Sequence, residues 1–277
     1  MRTFNFNQVD VFTATPLLGN PLAVVHGADA LSETQMQALA RWTNLSETSF
    51  LLKPTDARAD YRLRIFTPMR ELPFAGHPTL GSCHAWLAAG GKPAGEQVVQ
   101  ECGAGLVRIR RDGKRLAFAA PPVRRSGGVD PDVLARIARG LRLPLSAIRA
   151  SQWVDNGPGW VAVMLGSRAE LLAIDPDYTA VQGLELGVVA PWEGGEAQFE
   201  VRALIPTPTG GYEDPVTGSL NAGLAQWLIG AQLAPPHYVA SQGTRLGRAG
   251  RVHVDQDGAD IWVGGDSVTC VSGTLSL

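Results

Sequence analysis

Cysteine is scarce: the 277 residues hold three, Cys83, Cys102 and Cys270, and no C-x-x-C pair. Oxidising two would leave the third over, so a disulfide framework is not expected and a reducing, cytoplasmic setting is. Cationic excess is also missing. With 24 Lys plus Arg against 26 Asp plus Glu and a net charge of −2, nothing is available to neutralise a phosphate backbone, so nucleic-acid binding is not expected. No run of about 18 apolar residues could span a bilayer. The opening MRTFNFNQVDVF lacks the apolar stretch of a secretory signal, so no membrane association is expected. The G-x-S-x-G elbow, the P-loop and the strand-to-helix G-x-G-x-x-G fingerprint are absent. That argues against serine hydrolase, nucleotide hydrolase and dinucleotide oxidoreductase chemistry. His77 and His84 have no further ligands near them in sequence, so no metal site is expected.

What is present is a chain with 45% hydrophobic residues, 32 glycines and 19 prolines. At about 150 residues per domain its length suits two domains, each with its own core. Residues 3–12 alternate Phe4, Phe6 and then Val9, Val11 with a slip between the pairs, as in a strand with a bulge. LAVV at 22–25 is its expected hairpin partner. Ser32 with Gln35 has capping-box spacing and Leu31 can staple onto Met36, predicting a helix over 32–43. Strands are expected at 48–52 and 60–66, the latter alternating Tyr61, Leu63, Ile65 with Arg62, Arg64. From Pro78 to about Ala89 the sequence is small and apolar all round, the pattern of a helix buried on every side. Short strands at 97–101, 105–111 and 114–119 complete a first half, and 121–128 reads as a linker. A helix at 130–140, strands at 160–165 and 199–204, a second small and apolar helix from Pro215 to Gly230, and further strands make a second half.

The two apolar helices align. A shift of 137 residues lays His77-Pro78-x-x-Gly81-Ser82 onto Asp214-Pro215-x-x-Gly218-Ser219, and just upstream Arg64-x-Phe66-x-Pro68 matches Arg202-x-Leu204-x-Pro206 with a slip of one. Proline suits a first helical turn, where its missing N–H has no partner to lose. On this register His77 and Asp214 stand at equivalent helix entrances. The unpaired N–H groups there, with the helix dipole, favour an anion such as a carboxylate. Two such ends brought face to face would grip one small anionic molecule.

Each candidate has a plainer counterpart. Asp214 suits an N-cap, and His77 suits a buried histidine bonded to backbone, but the match between them and the AGHPTLG context favour contact with a ligand. Glu47, between a helix end and a strand, is either a solvated loop residue or a carboxylate whose apolar and hydroxylated flanks raise its pKa toward that of a general base. Gly76, Gly218 and Ser219 can present backbone N–H groups, with the Ser219 hydroxyl as a further donor. Gln242-Gly243-x-x-x-Gly247-Arg248 is either a contact to an acid or a surface turn. Cys83 reads as core.

The segments GNPLAVV (19–25), NLSETSF (44–50), FTPMRELPFAGHPTLG (66–81), EDPVTGS (213–219) and QG-x-x-x-GR (242–248) together resemble the PhzF family of phenazine-biosynthesis-like isomerases and epimerases. The resemblance implies an α+β, diaminopimelate epimerase-like fold: two pseudo-symmetric domains, each a curved, mostly antiparallel sheet wrapped round a central helix. It implies domains of residues 1–120, joined by a final strand at about 267–277, and 121–266, with the active site between them. It implies a cofactor-independent and metal-independent isomerase or epimerase that moves a proton within a small carboxylate-bearing substrate, and a homodimer. Glu47 maps onto the acid/base glutamate, His77 and Asp214 onto the other principal polar residues, and Gly76 and Ser219 onto substrate contacts; Gly218, Gln242 and Gly243 are further candidate contacts. Related epimerases use two cysteines; here His77 and Asp214 are expected in the corresponding turns. A carrier that binds an acidic metabolite in the same cleft without catalysis is the competing reading.

Overall fold

The computed structural model describes residues 1–277. The chain divides into two compact units, one of Met1–Ala119 with Gly264–Leu277 and one of Ala120–Val263. Elements of the first are β1 (Thr3–Val11), β2 (Asn20–Val25), α1 (Glu33–Thr43), β3 (Thr48–Leu52), β4 (Tyr61–Phe66), β5 (Glu71–Leu72), α2 (Gly76–Ala88), β6 (Val98–Cys102), β7 (Gly105–Asp112) and β8 (Arg115–Ala119). The second holds β9 (Arg125–Gly127), α3 (Pro131–Gly140), β10 (Ala150–Asp155), β11 (Trp160–Met164), α4 (Arg168–Ala173), β12 (Glu185–Pro191), β13 (Phe199–Thr207), β14 (Gly210–Asp214), α5 (Gly218–Gly230), β15 (His237–Gln242) and β16 (Gly250–Asp257). β17 (Asp260–Gly265) leads back, and β18 (Ser267–Ser276) pairs antiparallel with β1.

The local expectations hold where short-range chemistry decides. The β1–β18 register slips between Gln8 and Val9, at the expected bulge. Ser32 caps α1 in a complete capping box with Gln35, and Leu31 and Met36 are buried in one cluster. The segment read as a linker carries the short strand β9, paired with β10, because the backbone of residues 125–127 finds a sheet edge there.

Both units are mixed sheets of the same plan. In the first, β1–β2 and β3–β4 are antiparallel while β2–β3 and β4–β6 are parallel. In the second, β10–β11 and β12–β13 are antiparallel while β11–β12 and β13–β15 are parallel. Each sheet curls round one helix: α2 touches β1, β2, β3, β4, β8 and β18, and α5 touches β10, β11 and β16. Alternation explains how one strand serves two layers. In β12, Leu186, Val188 and Ala190 join a core with Ile137 of α3 and Leu171 of α4, and Gly187 between them faces α5, where Leu220 Cδ1 lies 2.5 Å from the position a Cβ would take. In the first unit Leu22 meets Gly81 of α2, and Val25, an odd number of positions on, packs with Met36 and Leu39 of α1. A fully buried side chain of this size stabilises by about 1.5–3 kcal/mol, so these two-faced sheets hold the fold.

The repeat is real, but its register changes along the chain. Arg64 faces Phe50 and Arg202 faces Val188, which sets the offset at 138 for those strands. In the next hairpin Phe66 faces Glu71, whereas Leu204 faces Glu213, so the second copy is four residues longer. Two ion pairs mark the new register: Arg64 with Glu71 at 2.6 Å and Arg202 with Glu213 at 2.7 Å. From there the offset is 142, pairing Pro73 with Pro215, Gly76 with Gly218, His77 with Ser219 and Gly81 with Gly223. α2 and α5 are each 13 residues long and begin at Gly76 and Gly218. The equivalence of His77 with Asp214 is therefore corrected. His77 lies inside the first turn of α2, whose N-cap is Ala75, and Asp214 ends β14, ahead of the N-cap Thr217 of α5. The 137 register fails because it assumes equal hairpins.

Candidate active site

In the first unit, Glu47 is set by the end of α1. Asn44 caps that helix in the left-handed region (φ 52°), and the chain re-enters the sheet at Thr48, whose hydroxyl bonds the Thr43 hydroxyl at 2.8 Å. Asn tolerates that conformation better than branched residues do. Glu47 is thereby held just before β3, its side chain 14% exposed, with Oε2 3.3 Å from His77 Nε2. The approach lacks the alignment of a full hydrogen bond, as in many catalytic pairs without substrate.

His77 is buried, and burial alone drives its pKa down to about 3, so the ring is neutral near pH 7. Asn20, fully buried at the start of β2, brings its amide nitrogen to 3.5 Å from His77 Nδ1. An amide N–H only donates, so Nδ1 accepts and the ring proton belongs on Nε2, facing Glu47. The carboxylate thus has an uncharged donor beside it. A neutral donor orients a carboxylate without suppressing its basicity as a cation would.

In the second unit, Asp214 is 6% exposed and accepts the Thr217 hydroxyl at 2.5 Å on Oδ2. Gln242 ties this loop together from β15. Its Nε2 donates to the Asp214 carbonyl at 3.1 Å and to Thr217 Oγ1 at 3.0 Å; its Oε1 accepts Thr217 N at 3.1 Å and Asn221 Nδ2 at 2.8 Å. Thr217 Oγ1, accepting from Gln242, must send its own hydrogen to Asp214. Gln242, expected as a substrate contact, has both ends of its amide engaged within the unit. Gly243 follows in the left-handed region (φ 93°), where a Cβ would stand 2.7 Å from the Pro215 carbonyl oxygen. Its carbonyl accepts Leu246 N and Arg248 N, so this stretch is a turn braced against the Asp214 loop.

Gly218 and Ser219 open α5, and the first intrahelical bond runs from Asn221 N to Thr217 O. Their N–H groups therefore precede the helix ladder. In α2 the first such bond is Thr79 N to Ala75 O, which places Gly76 and His77 likewise. Asn20, Thr217, Asn221, Asn156 and Trp160 were not singled out from the sequence. Asn20 and Thr217 lie inside quoted motifs, but only the tertiary contacts separate them from their neighbours.

A family model described as phenazine biosynthesis-like protein, PhzC-PhzF, matches residues 9–273. The chain belongs to this PhzF family. It is 35% identical over 260 residues to the trans-2,3-dihydro-3-hydroxyanthranilate isomerase of Pseudomonas aeruginosa, covering 91% of this chain and 90% of that one. It is 37% identical over 295 residues to antisense-enhancing sequence 1 of Schizosaccharomyces pombe, covering 99% of each. Among solved structures, the PhzF family phenazine biosynthesis protein of Bacillus anthracis superposes with a TM-score of 0.84 at 23% identity, covering 100% of both chains, which speaks to the fold. The expected PhzF fold and isomerase class are both met at this level.

Two further points bear on PhzF chemistry here. Cys83 lies fully buried in α2 beside Tyr61, and burial pushes its thiol up to about 12, which leaves no thiolate to act as a base. The helix N-caps are Ala75 and Thr217, so neither helix entrance carries a thiol. No group of three or more His, Cys, Asp or Glu side chains is placed to hold a metal ion. No helix is long and apolar enough to cross a membrane.

Proposed function

We propose that this PhzF family member isomerises a small carboxylate-bearing molecule by moving a proton from one carbon to another, without a cofactor. Glu47 is the acid/base. Its carboxylate takes a proton from a C–H bond, the electron pair delocalises toward the substrate's unsaturated or carboxylate-bearing system, and the resulting Glu47 carboxylic acid returns the proton at a different carbon. Atoms and charge balance within the substrate and one side chain. General acid/base catalysis of this kind contributes about 10²–10⁴-fold; positioning and preset dipoles supply the remainder.

The observation that carries the reading is the carboxylate of Glu47 within 3.3 Å of the neutral, buried His77. His77 orients Glu47 through Nε2–H. Asp214, held as an acceptor by the Thr217 hydroxyl, is assigned to orient a donor group of the substrate. The N–H groups of Gly76, Gly218 and Ser219 are assigned to its carboxylate. The family relationship supports the reaction class; the substrate class rests on the chemistry of these groups.

The test is solvent deuterium incorporation. Incubated in D2O with trans-2,3-dihydro-3-hydroxyanthranilate and with a panel of small cyclic and amino carboxylic acids, the protein should isomerise at least one, with deuterium entering at carbon wherever the Glu47 acid exchanges with solvent before it returns the proton, and Glu47→Gln should do neither. A protein that binds these acids and neither isomerises any of them nor exchanges a C–H is a carrier, and the proposal fails.

A further inference from the structure

We infer that Gln242 and Thr217 are positioning residues for the reaction: the Gln242 amide, acting through the Thr217 hydroxyl, keeps Asp214 Oδ2 a hydrogen-bond acceptor, so that any proton this carboxyl carries sits on Oδ1. This rests on the reading of Asp214 as a substrate contact of an isomerase.

Backbone partners fix the direction of every bond in the chain. Thr217 N–H can only donate and the Asp214 carbonyl can only accept, so Gln242 turns Oε1 to the first and Nε2 to the second, each at 3.1 Å. A reversed amide would set donor against donor and acceptor against acceptor. Asn221 obeys the same logic, with Nδ2 donating to the Thr217 carbonyl at 2.9 Å and to Gln242 Oε1 at 2.8 Å. The second hydrogen on Gln242 Nε2 then goes to Thr217 Oγ1 at 3.0 Å. That oxygen has one other partner, Asp214 Oδ2 at 2.5 Å. A proton on Oδ2 would leave the hydroxyl hydrogen with no acceptor, so the hydroxyl donates and Oδ2 accepts.

The hydroxyl is diverted from a common structural use. Thr217 is the N-cap of α5, yet its side chain caps no N–H of the helix, whereas Ser32 and Ser167 cap α1 and α4 through their hydroxyls. Threonine at an N-cap ordinarily accepts from the N2 or N3 N–H. Here the hydroxyl serves a carboxyl that is 6% exposed, and a hydroxyl donating to an ionised carboxylate makes a short, strong bond. A brace for the loop would serve with the hydroxyl turned either way. An acceptor held ready for substrate would not.

Two readouts decide the matter. In a neutron structure of the deuterated wild-type protein, the Thr217 hydroxyl deuterium should lie between Oγ1 and Asp214 Oδ2; a deuterium on Oδ2 itself, or a hydroxyl turned elsewhere, would overturn the inference without any substrate. The second readout is kcat for whichever acid the D2O assay shows to be isomerised. Thr217→Val removes the hydroxyl at nearly constant shape and should lower kcat about 10–100-fold, the worth of one hydrogen bond to a charged group. Thr217→Ser keeps the hydroxyl and should stay close to the wild-type rate. Gln242→Glu keeps the outline and turns the donating arm into an acceptor, so it should fall as Thr217→Val does; if it does not fold, the Thr217 pair decides. In an Asp214→Asn background Thr217→Val should add little, and full additivity would overturn the inference. Isomerisation untouched by folded Thr217→Val removes this inference alone, whereas a wild type that isomerises none of the acids removes the isomerase reading and this inference with it.

Discussion

Glu47 Oε2 and His77 Nε2 stand 3.3 Å apart, one residue just ahead of β3 and the other in the first turn of α2. The pair joins a titratable carboxylate to a ring that burial keeps uncharged. Its chemistry can be examined from either side.

Glu47→Gln keeps the size and removes the exchangeable carboxyl. Deuterium incorporation should fall by about 10²–10⁴-fold, while the denaturation midpoint stays close to wild type. Unchanged exchange in a folded variant would assign the base elsewhere.

The depressed pKa of His77 has a consequence for stability. The ordinary value is 6.5 and the folded value is about 3, so between these limits the unfolded chain binds a proton that the folded one refuses. Stability attributable to this group is complete above about pH 6.5 and declines as pH falls toward 3. His77→Asn should therefore show a shallower loss than wild type across that window, measured by urea unfolding at successive pH values. Parallel curves would mean that the histidine titrates freely.

Gln242→Leu removes four hydrogen bonds and leaves Thr217 N and the Asp214 carbonyl without their partner. At about 1–3 kcal/mol for each buried group left unsatisfied, the variant should lose at least about 2 kcal/mol in chemical denaturation. A loss below about 0.5 kcal/mol would show that water replaces the amide.

Gly81 and Gly223 occupy the same helix position in the two copies but meet different neighbours. A Cβ at Gly223 would fall 2.2 Å from the Val154 carbonyl oxygen, and one at Gly81 would fall 2.7 Å from Leu22 Cδ2 and 2.8 Å from Val11 Cγ2. Backbone yields less than side-chain ends. Gly223→Ala should thus cost more than Gly81→Ala, with overpacking of this kind typically about 1–3 kcal/mol; thermal melts of the pair would show the order.

Cys83→Ala should leave deuterium exchange within about twofold of wild type, because a thiol held near 12 supplies no thiolate at neutral pH. A loss of the size expected for Glu47→Gln would restore a thiol mechanism.

Much of this architecture is legible residue by residue. The Ser32–Gln35 box, the Arg–hydrophobic alternation of β4 and the small apolar helices each follow from neighbours within a few positions, where spacing carries the physics. Glu47 and His77 were legible as candidates, and Asp214 too. Their partners were not. Asn20 lies 57 positions from His77, and Asn156 lies 63 from Ser219; no local pattern reports a contact across such distances.

The sequence alone thus determined that there are two copies of a strand-rich unit, each built on a buried helix, since composition and periodicity act over one element. Which residues correspond between the copies was decided in three dimensions. A hairpin longer by four residues still closes on the same Arg–Glu pair, because sheet pairing depends on which strands meet and not on how many residues intervene. That insertion puts Ser219 where the other copy has His77, and leaves Asp214 before its helix, tied by Thr217 and Gln242.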